Sequence, residues 1–281
     1  MPKNKSFQIG LRNITRKIAK LENKKMDFQR IPTKSLVNEA VGGVYLESGI
    51  AGFDVAIGGK GIPDGSLILL LGEPGSGHEI FALQMLYNQA KKGKKIFYVS
   101  VDKPPSEVEL EMMTFGWNID TYKSLGSWTY IDAYGAKYSG DSSSPVISWD
   151  KGLLNLLRTK FVNSVAKSAQ PFTVIDSISH LLLDYDVDQV RELIENFSSS
   201  VIRKVGGVHI LLMVKGMHDE KTEVLFSHIA DGVIDFYLRE RSDQLQRTFR
   251  VRKMRKAIYD TRLYPVNLEA EGLQIETAQR I

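Results

Sequence analysis

The chain has 281 residues with 43% apolar and 25% charged side chains, the proportions of an ordinary globular protein able to bury a sizeable core. It contains no apolar run long enough to span a membrane, and its charged N-terminus lacks the apolar centre of a secretion signal, so neither is expected. The absence of cysteine excludes disulfides, thiol catalysis and Cys-ligated zinc; a reducing cytoplasm is the expected compartment, and the net charge of +4 conceals an uneven distribution.

In chain order, residues 1–40 come first as a basic arm, with ten Lys/Arg against Glu22, Asp27 and Glu39, a net +7. Phe7, Leu11, Ile14, Ile18 and Leu21 recur at helical spacing, which predicts an amphipathic helix with one apolar stripe. A linker follows and closes at Pro32. From residue 66 onward, strand-like and helix-like segments alternate. The run 66–71 is continuously apolar and ends at Gly72; 79–92 has helical spacing; 95–101 is again strand-like. Helices are expected over 106–115, 151–167, 187–204 and 222–229, with strands over 128–132, 172–175 and 208–214 and a polar loop over 135–147. After Asp231 the pattern turns to short strands near 233–238, 246–253, 262–268 and 273–276. Alternation of this kind, with strands apolar on both faces, predicts an α/β fold with a mostly parallel sheet covered by helices and extended at one edge by antiparallel hairpins.

The segment 239–262 carries nine Lys/Arg against Glu240, Asp243 and Asp260, a net +6, so the rest of the chain outside the two basic segments is net −9. Two basic regions on an acidic body suit acidic partners, whether nucleic acid, phosphates or a neighbouring subunit; solvated faces are the alternative.

The stretch "LLGEPGSGHEIF" (70–81) passes from strand through a glycine-rich turn into a helix, the setting in which backbone N–H groups and a helix N-terminus meet phosphate. A purely structural turn is the other reading of the glycines alone. A P-loop requires G-x-x-x-x-G-K-[ST], with the lysine on the β/γ-phosphates and the hydroxyl on Mg²⁺. Here His78 and Glu79 stand in those two places.

The flanking residues resemble a known family. "ESGIAGFDVAIGGKGIPDGSLILLLGEPGSG" (47–77) is similar to the entry to the ATPase domain of KaiC-like proteins, a branch of the RecA superfamily. Ser48, Gly49, Ile50, Gly52, Asp54, Gly58, Gly59, Gly61, Pro63 and Gly65 match it in order. "TVIDSIS" (173–179) resembles the Walker B strand, and 230–238 and 250–275 resemble the C-terminal strands, including Lys253-Met254-Arg255. The resemblance covers residues 44–276 and implies a RecA-like three-layer α/β/α domain beyond the arm. It further implies a nucleotide loop of Glu73, Pro74, Gly75, Ser76, Gly77, His78, Glu79 and Ile80, with Asp176 holding Mg²⁺ through water. Lys253 and Arg255 would reach a neighbouring subunit's phosphate as an arginine finger does; a solvated basic strand is the alternative.

Departures from the family gather at the site. His78 is mostly uncharged at neutral pH at its ordinary pKa, and Glu79 puts a carboxylate beside the expected phosphates. Where the family carries a water-activating Glu-Glu pair, "VSVDKPP" offers Asp102 and Lys103. The polar residue expected after the neighbouring strand is absent, since "HILLMVKG" runs apolar to Val214. The expected function is therefore a KaiC-like protein with an impaired ATP site, a non-hydrolysing regulatory or scaffold subunit that forms homo-oligomers or pairs with an intact ATPase paralogue. Its alternatives are a slow ATPase using Asp102, Asp176, Lys253 and Arg255 with weakly held ATP and Mg²⁺, and a nucleic-acid-binding relative using the basic arm. His180, His209, His218 and His228 lack metal-ligand spacing. Tyr130, Tyr134, Tyr138 and Trp149 are expected to pack rather than stack on bases.

Overall fold

The computed structural model describes residues 43–138, 152–241 and 244–277, the side chain of residue 241 excepted. The chain divides into two units, Met1–Gly43 and Val44–Ile281, and the elements below belong to the second. The stripe of the arm, Trp149 and most of the 135–147 loop lie outside the described residues.

A short ribbon pairs β1 (Tyr45–Leu46) antiparallel with β2 (Ile62–Pro63), with α1 (Ala51–Ala56) between them. The main elements follow: β3 (Ser66–Gly72), α2 (His78–Lys91), β4 (Ile96–Ser100), α3 (Pro105–Thr114), α4 (Asp120–Ser124), β5 (Trp128–Asp132) and α5 (Ala133–Tyr138). A helix α6 runs through Gly152–Leu156, a wider turn at Leu157–Phe161 and Val162–Val165, and leads to β6 (Phe172–Asp176) and α7 (Ile178–Asp184). Helix α8 (Val187–Phe197), continued by a second wide turn at Ser198–Ile202, precedes β7 (Val208–Val214), α9 (Glu220–Ile229), β8 (Gly232–Arg241), β9 (Gln244–Met254), β10 (Tyr264–Glu269) and β11 (Gly272–Ile275).

Among the described residues, nine strands form one sheet in the order β11-β10-β9-β8-β3-β7-β6-β4-β5. Strands β8, β3, β7, β6, β4 and β5 run parallel, and β9, β10 and β11 extend the β8 edge antiparallel. Every residue of β3, "SLILLLG", is buried, because α2 and α3 cover one face and α6, α8 and α9 the other. Each fully buried leucine there contributes about 2 kcal/mol of transfer free energy, which is why a continuous apolar run is stable only as a central strand. The result is the three-layer α/β/α arrangement expected from the alternation.

Local chemistry fixes the helix starts. Asp186 and Gln189 form a capping box at α8, Asp219 accepts the Thr222 amide at 2.7 Å at α9, and Pro105 occupies the first turn of α3. The pairings Ser100↔Asp176 and Gly72↔Val214 bring the C-terminal ends of β4, β6, β3 and β7 to one edge of the sheet. That edge is where open parallel α/β sheets bind ligands.

Two expectations need adjustment. The polar loop begins later than 135, because Ala133–Tyr138 is helical. The pieces α1, α4, α7 and the β1–β2 ribbon were not anticipated as elements.

Candidate nucleotide site

The glycine-rich turn leaves β3 at Gly72 and enters α2 at His78. Gly75 and Gly77 have φ of 76° and 91°, a left-handed backbone that other residues adopt only with strain. The loop is anchored from the β8–β9 side. The Glu73 carboxylate accepts the Leu238 amide at 2.9 Å, the Glu73 amide donates to the Phe236 carbonyl at 3.2 Å, and the Arg247 guanidinium donates to the Gly75 carbonyl at 2.9 Å.

His78 does not stand out over the loop. Its side chain is buried, with Nδ1 at 3.3 Å from the Ser76 hydroxyl and the ring 6.4 Å from that of Phe236. A Cβ at Gly72 would lie 2.2 Å from the imidazole, so the ring fills the space that Gly72 leaves. Burial, aided by the Lys103 charge, pushes the His78 pKa down to about 4, so the imidazole is neutral at pH 7. Glu79 follows with a carboxylate 40% exposed and 4.0 Å from the imidazole Nε2; its pKa is raised by desolvation, against the pull of Lys103.

Asp176 ends β6 almost fully buried and accepts a hydrogen bond from the Tyr98 hydroxyl. Desolvation and the charge of Asp102 push its pKa up to about 7, with Lys103 acting in the opposite sense. Asp102 and Lys103 lie in the turn from β4 to α3. The Lys103 ammonium is 3.0 Å from Glu111 Oε2 on α3 and 3.9 Å from Asp176 Oδ2. Burial works against its charge, but Asp176, Glu111 and Glu79 together hold its pKa above the ordinary lysine range. Asp102 lies 4.0 Å from His180 Nδ1, and desolvation raises its pKa.

The fold therefore brings His78, Glu79, Asp102, Lys103 and Asp176 into one neighbourhood beside the loop. Glu111, Tyr98, Arg247 and Phe236 belong to it as well and escaped the sequence reading. Glu111 was the most accessible of these, the sixth residue of the segment 106–115 read as helix.

Lys253 and Arg255 lie elsewhere, at the end of β9. Lys253 Nζ donates to the carbonyls of Ser227, His228 and Ala230 at 3.0, 3.0 and 2.6 Å, and Arg255 pairs with Asp231 at 3.2 Å. Both side chains therefore reach the C-terminal end of α9, where cations are favoured by the helix dipole. Other charges of the basic segment are also committed within the chain. Arg250 and Arg252 face buried Asp235, and Arg262 pairs with Asp260 at 3.0 Å. His209 is a core residue, hydrogen-bonded to Thr173 Oγ1 at 3.0 Å and to the Gly206 carbonyl at 2.9 Å.

The residues divide when tested against Mg²⁺–ATP. The glycine geometry and the helix N-terminus fit a phosphate. The cation site does not fit, because an ammonium stands beside Asp176. A divalent ion placed about 4 Å from it would meet a repulsion of about 8 kcal/mol at an effective dielectric of 20, before screening. Among the described residues no group of three or more His, Asp or Glu side chains is arranged to hold a metal, and no helix is long and apolar enough to cross a membrane.

Comparison with known proteins agrees with this architecture. The family model described as "ATPase: KaiC" matches residues 46–280. A UPF0273 protein of Thermotoga maritima is 27% identical over 243 residues, 82% of this chain and 95% of its own length. The circadian clock protein KaiC3 of Synechocystis is 32% identical over 170 residues, covering 59% of this chain and 32% of that larger protein. The crystal structure of a KaiC-like protein from Pyrococcus horikoshii superimposes with a TM-score of 0.67 at 26% identity, over 83% of this chain and 99% of that one. The family match and the shared fold extend across most of the chain, which belongs to the KaiC family of RecA-fold ATPases.

Proposed function

We propose that this chain is a KaiC-family protein whose ATP site no longer hydrolyses, and that it serves as a regulatory or scaffold subunit in the cytoplasm. Its companions would be copies of itself or an intact ATPase relative, with residues 44–276 as the RecA-like domain and 1–40 as a separate arm. The observation that carries the reading is the position of His78, a neutral ring packed against Gly72 and Phe236 in place of a cation over the phosphates. Glu79 and Lys103 add a carboxylate where phosphate charge would lie and an ammonium where the metal would. Micromolar affinity is only about 8 kcal/mol in total, so losing a lysine contact and gaining a carboxylate repulsion removes a large share of it.

The experiment compares wild type with His78→Lys/Glu79→Thr by calorimetry and phosphate release. Wild type should bind ATP–Mg²⁺ weakly or not at all. The double variant should bind at least tenfold more tightly, about 1.4 kcal/mol. Its turnover should stay slow, because Asp102 and Lys103 still occupy the places of the water-activating pair. Brisk Mg²⁺-dependent turnover by wild type, abolished by Asp176→Asn, would sink the reading in favour of an active ATPase. The nucleic-acid alternative uses the basic arm of residues 1–40 and is tested by the salt dependence of DNA or RNA binding; in the second basic segment Arg250, Arg252, Lys253, Arg255 and Arg262 are partnered within the chain.

A further inference from the structure

The misfit of Mg²⁺ at this site points to a role for the residue that causes it. Four carboxylates, Glu79, Asp102, Glu111 and Asp176, lie around the mouth of the loop, and Lys103 is the cation set among them. Its side chain is 18% exposed, with Glu111 at 3.0 Å and Asp176 at 3.9 Å. Among the described residues, the other titratable bases beside the group are His78, whose ring is tucked under the loop 4.0 Å from Glu79, and His180, 4.0 Å from Asp102. Ser100, paired in register with Asp176 and fully buried, has a hydroxyl without a partner, and so does one oxygen of Asp102. Polar capacity next to Asp176 is thus left over, while its charge is met by the ammonium.

We propose that Lys103 is a tethered cation: its ammonium takes the place beside Asp176 that a divalent ion would otherwise fill, so the site is charge-compensated without metal. Magnesium needs only one or two carboxylates and several waters, and Asp176 with its neighbours offers that much. The ammonium excludes the ion by occupying the position and by repelling a double positive charge. This inference rests on the reading of an impaired ATP site, but it concerns the nucleotide-free protein and is tested without nucleotide.

The test titrates Mn²⁺ into wild type, Lys103→Met and Lys103→Met/Asp176→Asn, reading free Mn²⁺ by electron paramagnetic resonance. Wild type should show no specific binding. Lys103→Met should bind Mn²⁺ at least tenfold more tightly than wild type, and the added Asp176→Asn should erase the gain. Should Lys103→Met not fold by itself, refolding with Mn²⁺ present becomes the readout: recovery supports the proposal and no recovery overturns it. Equal Mn²⁺ affinity in wild type and Lys103→Met overturns it, as does a gain that survives Asp176→Asn. Mn²⁺ binding by a wild type that does not turn over ATP would remove the tethered cation and leave the proposed function standing.

Discussion

At His78 a single side chain sets the charge that the start of α2 presents. A lysine at the start of α2 would carry its charge out over the phosphates, whereas the imidazole lies back against Gly72 and Phe236. The cost of protonating that ring gives a measurable signature. Its pKa in the folded protein is about 4 against an ordinary 6.5, so the unfolded chain binds the proton more readily throughout that window. Stability linked to His78 is therefore complete above pH 6.5 and is lost as pH falls towards 4; at pH 5 the loss is about 2 kcal/mol. His209, also buried and pushed down to about 4, adds a loss of the same sign, while the raised carboxylates Asp176 and Asp102 act oppositely. A difference measurement isolates the residue. Between pH 7 and pH 5, His78→Gln should lose about 2 kcal/mol less than wild type in denaturant unfolding, and equal losses would show that the ring is solvated. The glycines and the odd pair His78-Glu79 were legible in the sequence because they are adjacent there. The direction of the ring was not, since Phe236, against which it packs, lies far along the chain. Lys103 presents the same difficulty, because a lysine after a strand ordinarily points to water, and only the register of β4 with β6 sets it against Asp176.

At the level of elements, the central strands were readable because burial on both faces leaves continuous apolar runs, as in "SLILLLG" and "VHILLMV". The helices α2, α3, α8 and α9 were readable from their period. Pieces such as α1, α4 and α7 are only five to seven residues long, shorter than the window over which a period can be recognised. The irregularity between Val233 and Ile234 was also hidden. It sets Arg252 as an extra residue on β9, so that Arg252 and Lys253 both make their contacts on the α9 side of the sheet. Past it, Lys253 and, just after the strand ends at Met254, Arg255 both contact the end of α9. In the folded chain the Lys253 ammonium joins β9 to three carbonyls at the end of α9. Lys253→Met should therefore lower the unfolding free energy by about 2 kcal/mol, within the range of hydrogen bonds to charged groups. A residue serving only a neighbour's site would leave the stability of the monomer unchanged. The same denaturant experiment on a dilute sample separates the two roles, and a loss would mean that reaching a neighbour requires releasing the helix end first.

For the whole molecule, the uneven charge and the altered site combine into one expectation about assembly. Residues 1–40 carry net +7, whereas the chain outside the two basic segments carries −9. If Phe7, Leu11, Ile14, Ile18 and Leu21 form the apolar stripe that their spacing predicts, that stripe requires cover, and an acidic surface on another copy would suit its basic side. A family member with a working site links assembly to nucleotide only if ligand binding differs between assembled and free forms; if this site refuses Mg²⁺–ATP, as proposed, it has no such difference to apply. Assembly here should then depend on the arm and on salt, and not on nucleotide. Light scattering of the full chain should give the same mass with and without ATP–Mg²⁺. Deleting residues 1–30 should lower that mass while circular dichroism shows the domain still folded. Raising ionic strength to about 1 M, where the screening length falls to about 3 Å, should act in the same direction on the full chain by weakening the charge attraction. A mass that rises on adding ATP–Mg²⁺ would reconnect the site to assembly and count against the impaired-site reading. A mass unchanged by the deletion would instead assign the stripe to its own subunit, leaving β9 and its neighbours as the surface through which copies meet.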